Sequence, residues 1–140
     1  MNQTNSFMLD RGQFIIFLPK NDIDFHVREK LLADFGFPKN PKYSIELENK
    51  LLRKKSIVTE KNDITRYNLI LNSHFKLKEI KTNKVVLLKK FNSETSFSAS
   101  INITGFKTEV AKDNAEKRLA HDLAEEIRKE IFIFQKGLIN

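Results

Sequence analysis

The sequence predicts an α+β domain, a single four-stranded sheet with two helices packed on one face, in the order strand, helix, strand, strand, strand, helix. Three observations carry this prediction. Tyr67, Leu69, Leu71, Ser73, Phe75 and Leu77 alternate with Asn68, Asn72, His74, Lys76 and Lys78, the two-residue period of a strand with one buried and one wet face. Ala115, Leu119, Ala120, Leu123, Ala124, Ile127 and Ile131 recur at three- and four-residue steps, an amphipathic helical stripe whose opposite side carries Glu116, Lys117, Glu125, Arg128 and Lys129. Thr82-Asn83 separates the alternating run from a second β-prone run at 85–88, as a tight hairpin turn would.

The elements follow in order. The run 14–18, Phe-Ile-Ile-Phe-Leu closed by Pro19, has the continuous apolar character of a strand that is central or covered on both faces. Asn21-Asp22 is a cap signal for a first helix carrying Phe25, Val27, Leu31, Leu32 and Phe35, and Gly36 with Pro38 stops it. Tyr43, Ile45 and Leu47 open a second strand that continues beyond the polar Glu48-Asn49-Lys50 through Leu51 to Val58, with a bulge along it. The third strand is the alternating run. A two-residue turn after it sets Lys76 opposite Lys89, a like-charge pair that destabilises by roughly a few tenths of a kcal/mol. The fourth strand extends through Phe91 to Phe97, and the Ser/Thr/Asn-rich stretch 93–104 leads to Gly105. The last helix starts between Thr108 and Asp113, because Asp113 with Glu116 resembles a capping box, and ends near Phe134 ahead of Gly137. That helix is about 40 Å long at roughly 1.5 Å per residue. Residues 1–13 then form an N-terminal tether, 14–136 a single domain and 137–140 a tail.

A chain of 140 residues buries one core and not two. Its net charge of +7 and pI near 9.6 attract polyanions, whether nucleic acid, anionic lipid headgroups or a phosphorylated glycolipid. Without cysteine there is no disulfide, thiolate metal site or cysteine nucleophile. The longest apolar run falls far short of the roughly 20 residues that span a bilayer.

Chemistry-bearing constellations are thin. Gly12, Gly36, Gly105 and Gly137 stand alone, so no glycine-rich loop can cradle a nucleotide phosphate. His26, His74 and His121 fall on three different elements and read as structural histidines. His121 and Glu125 share a helix face, but no spacing supplies a third metal ligand. The expectation is a protein with no catalytic residues, no metal and no cofactor. Basic residues instead form a field: Arg53, Lys54 and Lys55 in the second strand, and Lys76, Lys78, Lys81, Lys84, Lys89 and Lys90 around the hairpin. Two readings of that field stand side by side, a sheet edge guarded by lysines and an anion-binding surface. Phe25, Phe35 and Phe75 follow the buried periodicity, and the element order departs from the RNA-recognition fold, so a nucleic-acid-binding module is the alternative and not the first reading.

Three stretches carry a family resemblance: Thr65-Arg66-Tyr67-Asn68-Leu69 opening the third strand, the hairpin ending in the Ser/Asn segment around Phe97, and Asp113-Asn114-Ala115-Glu116-Lys117-Arg118-Leu119-Ala120 continuing to Leu123-Ala124-Glu125-Glu126-Ile127. In order and spacing, over about 14–134, the chain resembles the LptE family, the lipopolysaccharide-assembly lipoproteins of Gram-negative outer membranes. The resemblance implies a non-enzymatic plug and assembly partner of the LptD β-barrel that binds lipopolysaccharide on the periplasmic side of the outer membrane. Lipopolysaccharide-binding residues expected on that basis are Lys61, Arg66 and Lys107, with Lys89 and Lys90 of the basic hairpin. Family members are anchored through a lipidated N-terminal cysteine. With no cysteine in this sequence, the resemblance implies membrane attachment by a lipid anchor outside it.

Overall fold

The computed structural model describes residues 11–58, 64–100 and 105–139. Its elements are β1 (Phe14–Ile16), α1 (Asp22–Phe35), β2 (Tyr43–Val58), β3 (Ile64–Glu79), β4 (Lys84–Ser100) and α2 (Gly105–Ile139). They form one four-stranded sheet in the order β1-β2-β3-β4, with two helices, as the sequence predicts. β1 pairs parallel with β2 across the α1 crossover, and β2, β3 and β4 form an antiparallel meander.

β1 is neither central nor covered on both faces. It is a three-residue edge strand: Phe14 and Ile16 are buried, whereas Ile15 is 42% exposed on the other side. Phe17 N–H still reaches Ile45 O at 3.1 Å before Pro19, which has no N–H, ends the pairing. A continuous apolar run is ambiguous here because only alternate residues enter the core.

Asn21 caps α1, its Oδ1 accepting from Asp24 N–H at 2.8 Å. Gly36 closes the helix at φ 76°, donating to Leu32 O at 2.7 Å, and Arg11 Nη1 adds bonds to the free carbonyls of Ala33 and Asp34. The buried line of α1 is Ile23, Val27, Leu31 and Phe35, four residues apart, which leaves Phe25 off the stripe and 48% exposed.

α2 runs 35 residues, about 52 Å at roughly 1.5 Å per residue, and is longer at both ends than expected. Asp113 lies inside it, and Glu116 binds Lys112 at 3.5 Å rather than capping. Gly137 does not stop it because its φ is not positive, and a glycine ends a helix by turning left-handed. Ala115, Leu119, Ala120, Leu123, Ala124, Ile127 and Ile131 are all fully buried against α1 and the sheet. No helix among the described residues is long and apolar enough to cross a membrane.

The hairpin turn spans four residues, 80–83, with Asn83 at φ 59° and Thr82 Oγ1 donating to Glu79 Oε1 at 2.7 Å. Together with an irregularity between Leu77 and Lys78, this sets Lys76 opposite Leu88 and Lys89 opposite Phe75, so the expected Lys76–Lys89 clash does not arise. The stretch 93–100 belongs to β4, where Thr95 faces Leu69 and Phe97 stacks on Tyr67 with centroids 5.3 Å apart. The expected β2 bulge falls between Lys55 and Ile57, and the polar Glu48-Asn49-Lys50 pairs without interruption. Asn49 stays in register because its amide has partners inside the core: Nδ2 donates to Asp24 Oδ1 at 2.7 Å, and Oδ1 accepts from Ser73 Oγ at 2.5 Å. Lys20 N–H completes the chain to Asp24 Oδ2 at 3.1 Å.

Where α1 meets α2, Asp34 Oδ2 is buried with no hydrogen-bond partner among the described residues. Burial raises the Asp34 pKa above its ordinary value, against the pull of Arg128 and Lys30. A raised acid pKa means that the folded state holds this proton more tightly than the unfolded chain does. The stability it gives is present at low pH and lost as pH rises through the folded pKa. Asp34→Asn should therefore gain stability relative to the parent between pH 3 and pH 7, read by urea denaturation at both. A variant that loses ground over that interval would contradict this account of the helix contact.

Candidate functional site

With both helices on one side, no element among the described residues covers the other face of the sheet. Strand register assigns its residues: Ser44, Glu46, Glu48, Lys50, Leu52 and Lys54 from β2; Arg66, Asn68, Ile70, Asn72, His74, Lys76 and Lys78 from β3; and Leu88, Lys90, Asn92, Glu94, Ser96 and Ser98 from β4. Even-numbered positions of the three strands share this face where pairing keeps their pleats in phase, and the irregularity after Leu77 gives the place opposite Lys78 to Val85. Cations outnumber acids on it. Lys78 pairs with Glu46 at 3.6 Å, while Lys76 and Lys90 have no carboxylate within 4.0 Å among the described residues.

Two shallow grooves mark this face. The larger, about 830 Å³, is lined by Ile15, Phe17, Leu18 and Leu88 together with Lys20, Lys76, Glu46 and Glu48. Leu18 is 76% exposed and Leu88 64%, so apolar surface lies beside ammonium groups. The second, about 610 Å³, is lined by Lys50, Asn72, Lys90 and Asn92, and it shares Glu48 and His74 with the first. Asn92 Nδ2 donates to Asn72 Oδ1 at 2.8 Å across its floor. Such a trough suits a ligand with an apolar portion and dispersed negative charge.

The expected binding residues do not form one cluster. Arg66 is on the open face opposite Ser98, and Lys90 is on the same face opposite His74. Ser98 is eight residues from Lys90 along β4, about 27 Å at roughly 3.4 Å per residue. Lys89 points to the helix side, where it pairs with Glu130 of α2 at 3.6 Å, because adjacent strand residues face opposite ways. Lys107 lies in the first turn of α2, but its side chain is outside the described residues. Lys61 also lies outside the described residues. Sequence reading missed Ile15, Leu18 and Leu88. Leu88 carried a signal, since it alternates with Lys90 and Asn92.

Other constellations stay apart. His26 packs beside Phe25, with ring centroids 5.5 Å apart, His74 is on the open face, and His121 is exposed on α2. Among the described residues, no three His, Asp or Glu side chains group as metal ligands. The open-face positions of β2, β3 and β4 hold no Phe or Tyr: Tyr67, Phe75, Phe91 and Phe97 all lie at positions facing the helices. A base-stacking platform of the kind single-stranded nucleic acid uses is therefore missing from these positions.

No protein-family model matches the chain, and no curated protein does. Solved structures do share its fold. A protein of Caulobacter crescentus named as a lipoprotein aligns with a TM-score of 0.71 at 13% identity, covering 89% of this chain and 91% of that one. A minor lipoprotein of Acinetobacter baumannii aligns at 0.61 and 17% identity, covering 89% and 94%. The rare lipoprotein B of Shewanella oneidensis aligns at 0.60 and 15% identity, covering 91% and 98%.

Proposed function

We propose that this chain is the folded body of an LptE-like lipoprotein of the Gram-negative outer membrane, working on its periplasmic side. In this reading it is not an enzyme. It binds lipopolysaccharide and acts as plug and assembly partner of an LptD-like β-barrel, attached to the membrane by an N-terminal lipid outside this sequence. The observation that carries the reading is the fold, matched nearly end to end by solved proteins described as lipoproteins. The open face supports it with chemistry. Lipid A is an anionic glycolipid, and Lys76 and Lys90 beside Leu18 and Leu88 offer charge and apolar surface together. A barrel lumen is commonly polar and would accept the charged flanks of such a plug.

The lipid part of the proposal is tested by lipopolysaccharide binding to the parent chain and to a Lys76→Glu/Lys90→Glu variant. Both side chains reach solvent, so the variant should fold and melt as the parent does. Its affinity should fall by about 10-fold, since two charge reversals beside an anionic ligand are worth on the order of 1–2 kcal/mol. Unchanged affinity would remove the open face from the binding site.

A further inference from the structure

The two edges of the sheet are unlike. β1 closes one side with three residues and Pro19, a short edge that offers little for pairing. β4 closes the other with 17 residues and no Pro or Gly. Ile80 N–H bonds Lys42 O, so even positions of β3 serve β2 and odd ones serve β4; between Leu87 and Phe97 the even positions of β4 therefore turn their backbone outward, where Ser96 O accepts from Arg118 Nη2 at 3.1 Å. Beside the middle of this edge α2 stands back, leaving a trough of about 680 Å³ between residues 90–94 and Asp122, Glu125, Glu126 and Lys129. Glu125 and Glu126 have cation partners in Arg128 and Lys129, whereas Asp122 and Glu94 have none within 4.0 Å among the described residues.

We infer that the β4 edge pairs antiparallel with β4 of a second copy of this chain, centred on Asn92. The strand Lys84–Ser100 has Asn92 at its midpoint, so this register extends equally to both sides of it over the in-phase stretch from Leu87 to Phe97. It sets Lys90 of each copy opposite Glu94 of the other, twice by symmetry, and so gives the unpaired Glu94 carboxylate a cation partner. It also lays the lysine-bearing half of one strand against the serine-rich half of the other. Moving the centre to Lys90 would face lysine with lysine. Arg118 must release Ser96 O for the pairs between Ser96 and Leu88 of the other copy to form, so it acts as a gate on the edge.

The inference is independent of the lipid and barrel reading, because it is measured on the isolated chain. Sedimentation equilibrium across the micromolar range should show a monomer–dimer equilibrium. Lys90→Glu or Glu94→Lys alone should weaken it by about 10-fold or more, since each turns two attractive cross-strand pairs repulsive. The double variant Lys90→Glu/Glu94→Lys should recover parental affinity. Asn92→Pro removes an outward N–H and leaves β3 pairing intact, so it should abolish the dimer with an unchanged circular dichroism spectrum. Arg118→Ala should tighten the dimer. A chain that is monomeric throughout, or a dimer indifferent to both charge reversals, overturns the inference. A monomer whose edge binds only a basic strand of a different protein overturns it too, since a second copy is then not the occupant.

Discussion

Phe75→Ala should cost about 3–5 kcal/mol, the largest single loss expected in this domain. Phe75 is fully buried in β3, the central strand of the meander, paired with Leu47 on one side and Lys89 on the other, with the Phe91 ring 6.3 Å away. Its neighbours belong to three strands that are fixed by their own pairing. The structure therefore cannot collapse into the space left by the ring, and a cavity term adds to the lost transfer energy. In a domain of this size the melting temperature should fall by roughly 10 °C or more. A loss under about 1 kcal/mol in chemical denaturation would mean that Phe75 is not packed as described.

Asp24→Ala should produce the second largest effect, for the opposite reason. Asp24 is 3% exposed and receives Asn49 Nδ2 and Lys20 N–H, while Asn49 in turn takes the Ser73 hydroxyl. Removing the carboxylate strands a buried amide donor, at a cost of about 2–3 kcal/mol. The loss comes from an unpaired polar group and not from missing volume, so replacing the remaining partners as well should recover most of it. Asp24→Ala/Asn49→Val/Ser73→Ala is accordingly expected within about 1 kcal/mol of the parent. If the triple variant is less stable than Asp24→Ala alone, the three side chains do not act as one network.

These two sites also show what the sequence could and could not reveal. Phe75 sits in an alternating run whose period alone assigns its face, and α2 was legible from its seven-member apolar stripe for the same reason. The Asp24–Asn49–Ser73 chain was not legible, because its partners are 25 and 24 residues apart and meet only when α1 crosses β2. Glu48-Asn49-Lys50 consequently looked like an interruption of β2. The run 14–18 reads as a central or doubly covered strand because five successive apolar residues hide which alternate ones are buried. Phe25 matches a loose helical spacing and so reads as core, whereas the buried apolar line of α1 advances strictly by four.

The binding surface divides the same way. The basic field could be read from composition, but which lysines share a face depends on alternation and register. Lys89 and Lys90 are neighbours in sequence and face opposite sides of the sheet, one neutralised by Glu130 and one open. The four-residue turn and the irregularity after Leu77 replaced the expected Lys76–Lys89 pair with Lys76 and Leu88, and so created the mixed apolar and cationic groove. No local signal announces that irregularity.

Co-expression of this chain with the LptD-like barrel of its own organism tests the central claim most directly. A plug and assembly partner should co-purify with the barrel in equal amounts and raise the yield of correctly assembled barrel. A barrel that assembles equally well without the chain, and does not retain it through purification, would contradict the account.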